Sequence, residues 1–208
     1  METRVQEKTV SLFGGLLRAL PTIVVSLLLL GQVASADITP LASGMLTPES
    51  ISIAPSGFGS YQGDYFIPDA GRITIPDSGA VWRVTPGGSA SKFATGMASG
   101  LPNHPLGGLF LPSSGWGSAS GKFLVAGYTE GTYSGDGKQY SYLASFDSSG
   151  TAAPLLAYLH EGGSSTLTSP MIAPSDFGDH GGDLIVTDQQ GNLIWVRPNV
   201  AGDGYDTG

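Results

Sequence analysis

The side chains with the greatest chemical capacity crowd into one short stretch, Asp176-Phe177-Gly178-Asp179-His180-Gly181-Gly182-Asp183. Three carboxylates and an imidazole within eight residues could hold Ca²⁺, because hard cations take oxygen ligands and a glycine-rich loop adds carbonyls. The spacing matches no EF-hand loop. A structural role competes with metal binding, and the residue types favour it: Asp176 and Asp179 as turn residues, Asp183 as the opening of a strand. His104 sits between prolines in Pro102-Asn103-His104-Pro105, on a loop entering a strand. An imidazole there could bind a ligand or move a proton near neutral pH, or simply shape the loop. Asp69 and Asp188 each stand six residues beyond a glycine of a repeated motif. Each could line a ligand-binding mouth or accept hydrogen bonds from the amides of the next turn. No Gly-x-Ser-x-Gly elbow, phosphate loop, dinucleotide fingerprint or His-Glu-x-x-His motif occurs. Trp82, Trp116 and Trp195 are expected as core plugs between sheets.

The elements that must position these groups repeat. Pro55-Ser56-Gly57-Phe58-Gly59, Pro112-Ser113-Ser114-Gly115-Trp116-Gly117 and Pro174-Ser175-Asp176-Phe177-Gly178 each end in an aromatic-Gly pair. A second glycine follows four residues later, at Gly63, Gly121 and Gly182, spaced 58 and then 61 residues apart. Each opens an apolar, β-rich run: Tyr65-Phe66-Ile67, Phe123-Leu124-Val125 and Leu184-Ile185-Val186. A further strand and a turn follow in every case. Recurrence at this period marks tandem supersecondary units. The chain therefore reads as all-β, with three units of four short strands near 41–92, 93–155 and 156–208. Leu41-Ala42-Ser43-Gly44-Met45 and Phe93-Ala94-Thr95-Gly96-Met97 open the first two units. The one helical competitor, 152–160, is short and fits the repeat as a strand.

Four-stranded units of this length match blades of a β-propeller. The run from Phe93-Ala94-Thr95-Gly96 through Pro105-Leu106-Gly107-Gly108-Leu109-Phe110 to Gly121-Lys122-Phe123-Leu124-Val125 resembles the blade pattern of six-bladed propellers of the NHL, gluconolactonase and strictosidine synthase-like type. That resemblance implies a partial propeller, and for the lactonases a channel metal held by Glu, Asn and Asp from several blades. Three blades do not close a ring. A homo-oligomer could close it, the chain could be a truncated, inactive fragment, or the three units could form a β-trefoil or other three-fold β structure.

Residues 1–36 read as a secretory signal peptide: basic Arg4, Lys8 and Arg18, the apolar run from Ile23 to Leu30, then Ala34-Ser35-Ala36. The remainder, 37–208, is long enough for one β domain. It carries 15 acidic and 6 basic residues, which disfavours nucleic acid and anionic lipid as partners. No segment after the signal is apolar enough to span a membrane. There is no cysteine, so sheet hydrogen bonds and packing must hold an exported chain together. Forty per cent apolar residues suffice for a core despite 32 glycines. The expectation is a secreted binding module for an extracellular ligand, with a metal-dependent lactonase or sugar-acid hydrolase as the alternative and an enzyme the less favoured of the two.

Overall fold

The computed structural model describes residues 39–72, 78–95, 104–129, 140–152, 157–161, 166–200 and 204–208. The signal-peptide segment lies outside them, and residues 41–208 form one compact unit. Among the described residues, twelve strands make three antiparallel sheets, each from strands consecutive in sequence. The first holds β1 (Ser52–Ile53), β2 (Tyr65–Asp69), β3 (Ala80–Val84) and β4 (Ala90–Thr95). The second holds β5 (His104–Phe110), β6 (Phe123–Thr129), β7 (Tyr140–Phe146) and β8 (Ala157–Glu161). The third holds β9 (Leu167–Ile172), β10 (Leu184–Asp188), β11 (Leu193–Pro198) and β12 (Tyr205–Thr207). Among the described residues no barrel closes, so the closed barrel expected of a trefoil is not found.

The strands group one step later than the repeat suggests. Phe93-Ala94-Thr95 does not open the second unit; it is the end of β4, paired to β3 through Val81↔Ala94 and Ala80↔Thr95. Likewise β8, expected to open the third unit, is the outer strand of the second sheet. The cause is local. The turns at Thr85–Ser89 and Asp147–Thr151 are tight, closed by Gly88 N–H to the Thr85 carbonyl (2.9 Å) and Gly150 N–H to the Asp147 carbonyl (3.0 Å). Each returns the chain directly onto the preceding strand as a hairpin.

The Pro-aromatic-Gly motif is the connection from the first to the second strand of each sheet, and its hydrogen bonds recur in all three. The amides of Ala54, Leu111 and Ala173 donate to the carbonyls of Asp64, Lys122 and Asp183 at 2.8, 3.0 and 2.8 Å. The aromatic carbonyls of Phe58, Trp116 and Phe177 accept from Tyr61, Ala119 and His180. Gly59, Gly117 and Gly178 have φ of 57, 54 and 53°; Gly63, Gly121 and Gly182 have 85, 71 and 87°. Both positions lie in the left-handed region that a side chain disfavours. The paired glycines in the sequence are thus two fixed backbone conformations used three times.

Alternation along the strands sorts side chains between two junctions. Phe66 and Val81 of the first sheet pack with Phe123, Val125, Tyr142 and Phe146 of the second. Leu124 and Leu143, on the second sheet's opposite face, pack with Leu184, Val186 and Val196 of the third. Phe58 and Trp116 plug these junctions: the Phe58 ring lies 4.8 Å from Phe110, and Trp116 stacks on Tyr205 at 6.3 Å. Phe58 and Trp116 are each 3 % exposed, whereas Phe177 is 50 % exposed. Of the three tryptophans only Trp116 is a buried plug; Trp82 and Trp195 are half-buried.

Candidate functional site: a groove between the inner strands

The first strands of the three sheets, β1, β5 and β9, are sheet edges, and β5 lies against both of the others. Ser52 Oγ donates to the Gly108 carbonyl at 2.9 Å, and Gly108 N–H donates to Ser50 Oγ at 3.0 Å, joining the first sheet to the second. A Cβ on Gly107 would lie 2.7 Å from Pro170 Cδ, so β5 and β9 also touch. The groove between the three strands encloses about 580 Å³ and is lined by Ser50, Ile51, Ser52, Leu109, Phe110 and Met171, among others. Its floor is irregular for a shared reason: β5 slips register at Leu106, and β9 slips opposite Val186. Ser169, within the second bulge, is the one non-glycine among the described residues with positive φ, at 48°. Bulges of this kind re-aim side chains beside binding sites. The lining offers hydroxyls, backbone groups and apolar side chains, with no carboxylate, imidazole or cation.

The sequence candidates lie elsewhere. Asp69 ends β2, is buried, and is saturated: its carboxylate accepts from Leu46 N–H (2.9 Å), Thr47 N–H (2.6 Å), Gly71 N–H (3.0 Å) and the Trp82 indole (3.0 Å). It pins the segment before β1 to the first sheet. His104 opens β5, is buried, stacks on Tyr128 at 4.7 Å, and donates through Nδ1 to the Ala70 carbonyl at 2.7 Å. Asp69 and His104 therefore hold the same turn, Asp69 through the Gly71 amide and His104 through the Ala70 carbonyl. Asp188 caps the β10–β11 turn, accepting from Gln190 N–H, Asn192 N–H and the Asn192 side chain at 2.8–2.9 Å. The Asn192 amides hold its carboxyl below the usual carboxylate range.

The acidic cluster is dispersed by an ion pair. Asp183 is buried, accepts from Arg197 at 2.5 Å, and has His180 Nδ1 at 2.9 Å. Arg197 also donates to the Asp179 carbonyl at 2.8 Å and lies over the Trp195 ring. Asp176 and Asp179 are exposed, and among the described residues no three His, Asp or Glu side chains converge as a metal site would require. The Ca²⁺ expectation for Asp176, Asp179 and Asp183 thus finds no assembled ligand set; the carboxylate best placed to ligate is neutralised by Arg197 instead. The first sheet repeats the device with Asp64 and Arg83, 2.5 Å apart, Arg83 lying over Tyr61. Neither pair was legible in the sequence, because the arginines sit 19 and 14 residues from their carboxylates. The groove itself was foreshadowed only by small residues at Gly107-Gly108 and Ser50 to Ser52.

No protein-family model, no curated protein and no solved structure matches the chain. Among the described residues no helix is long and apolar enough to cross a membrane.

Proposed function

We propose that the three sheets are consecutive blades of a β-propeller and that the protein is an exported binding module whose ligand occupies the groove between β1, β5 and β9. The observation that carries this reading is that the first strands of all three sheets line one groove whose lining is uncharged. Propellers place ligands where inner strands meet. Hydroxyls and exposed backbone groups beside Ile51, Leu109 and Met171 suit a neutral ligand with both polar and apolar faces. The paired Asp183–Arg197 and saturated Asp69 supply fold stability rather than chemistry in this reading.

The test is a melting-temperature screen of the full chain against uncharged oligosaccharides and short neutral peptides, with CaCl₂ as a separate arm. A neutral compound that raises the melting temperature, and loses that effect in Ser52→Trp, supports the groove. A rise with Ca²⁺ together with lactone hydrolysis would replace the binding module by the enzyme.

A further inference from the structure

Two outer sheet faces carry apolar residues at positions that are buried wherever another sheet follows or precedes. On the far face of the third sheet, Leu193 is 61 % exposed, while its register equivalents Val81 and Leu143 are 1 % and 0 % exposed. Phe177 shows the same contrast with Phe58 and Trp116. On the near face of the first sheet, Ile53 is 62 % exposed, yet its equivalent Phe110 packs against Phe58. Beside Ile53, residues including Leu41, Met45, Ile67 and Val84 line an open apolar groove of about 380 Å³. Each internal junction joins the far face of one sheet to the near face of the next. The two outer faces are therefore the complementary halves of a third such junction.

A second relationship fixes how those halves meet. A Cβ on Gly88 would strike the Leu41 carbonyl oxygen, and one on Gly150 would strike the Phe93 carbonyl oxygen. Leu41 thus stands against the first sheet as Phe93, in the outer strand of the first sheet, stands against the second. Yet 41–45 pairs with no strand among the described residues. On the third sheet, β12 pairs with Val196 to Pro198, and Gly208 with Trp195. The stretch of β11 at Leu193, equivalent to Val81, has no outer partner among the described residues, though Val81 pairs with Ala94.

We propose that a second copy of this chain covers both faces. The far face of one copy's third sheet packs on the near face of the other's first sheet, and residues 41–43 of that copy extend the line of β12 beside Leu193. Two such contacts close six sheets into a ring. Heterologous contacts close when the rotation allows and otherwise grow without limit. Exposed apolar faces of this kind mark interaction surfaces. The proposal rests on the blade reading above.

Light scattering of the purified full chain gives twice the chain mass under this proposal. Leu193→Asp and Ile53→Asp each convert it to a monomer, and mixing the two variants restores dimers, since one intact contact remains available. Both residues are exposed within a copy, so the variants fold, which circular dichroism checks. Because the chain has no cysteine, Ile53→Cys with Phe177→Cys gives a second readout: a disulfide between copies, seen as a dimer on a non-reducing gel. A folded monomer at high micromolar concentration overturns the proposal, as does a dimer indifferent to both aspartates, or assemblies that keep growing with concentration. Small-angle scattering of such a monomer separates the two failures: a wedge-shaped profile keeps the blades, and a straight row of sheets removes them too.

Discussion

The Trp82 indole N–H donates to the Asp69 carboxylate at 3.0 Å, and that one carboxylate also holds the amides of Leu46, Thr47 and Gly71. A buried carboxylate with four donors is stabilised by charge-assisted bonds, and removing it orphans several donors at once. Asp69→Ala is expected to cost about 3 kcal/mol or more of unfolding free energy. Asp69→Asn should cost less, since the amide oxygen still accepts while its NH₂ faces donors. Urea denaturation monitored by Trp fluorescence reads both. A cost below about 1 kcal/mol for Asp69→Ala would mean the segment before β1 is not anchored through this group.

Gly88 and Gly150 combine a left-handed backbone, with φ of 85 and 79°, and a carbonyl oxygen where a Cβ would lie. Gly57 and Gly182 have similar φ, 96 and 87°, but open space around the Cβ position. Alanine at the latter pair pays only for the left-handed conformation, about 1–2 kcal/mol. Alanine at Gly88 or Gly150 adds overpacking of about 1–3 kcal/mol. Thermal or urea unfolding of the four variants should rank them in that order. Equal costs would remove the close approach of Leu41 and Phe93 to their turns.

The distribution of these features explains what could be read from the chain. The all-β architecture and the hairpin at each Pro-aromatic-Gly motif were legible, because the motif glycines encode specific backbone conformations within a few residues. The phase of the sheets was not, since Phe93-Ala94-Thr95 and Leu41-Ala42-Ser43 look alike while, among the described residues, only the former lies in a paired strand. Asp69, His104 and Asp183 stood out by residue type, but their partners (Trp82, the Ala70 carbonyl and Arg197) are brought in by tertiary packing that no local spacing announces. The acidic run at 176–183 offered a ligand set only as the less favoured reading, and sequence proximity does not reveal the arginine that claims Asp183.

Acid should weaken the turns that carry depressed carboxylates. Ser149's hydroxyl first, and then the Ser149 and Thr151 amides, lower Asp147, despite partial desolvation; the Asn192 side chain and amide lower Asp188. A folded-state pKa below the unfolded value contributes stability above the unfolded value, near 3.8, and loses it as pH falls through the folded value. Asp147→Ala with Asp188→Ala is therefore expected to be less stable than the parent at neutral pH and equally stable in strong acid. Melting temperatures across pH 7 to 2 check this; a difference that persists unchanged at the acid end would assign the loss to packing instead.

The three aromatic plugs are chemically alike and environmentally unlike, which makes them a direct measure of what each junction contributes. Phe58 touches Phe66, Phe93 and Phe110 within 4.8–6.1 Å, and Trp116 sits among Leu167, Leu184 and Val196. Emptying either site removes a large buried side chain from between two sheets, at about 3–5 kcal/mol. Phe177 is half-exposed, and among the described residues no further sheet covers it. Phe177→Ala should cost under about 1 kcal/mol in dilute solution, where a surface substitution is weakly felt. Urea titrations at low micromolar concentration give the three costs on one scale. If Phe177→Ala proves as damaging as Phe58→Ala under those conditions, the third motif is packed within a single copy and the far face of the third sheet is not open.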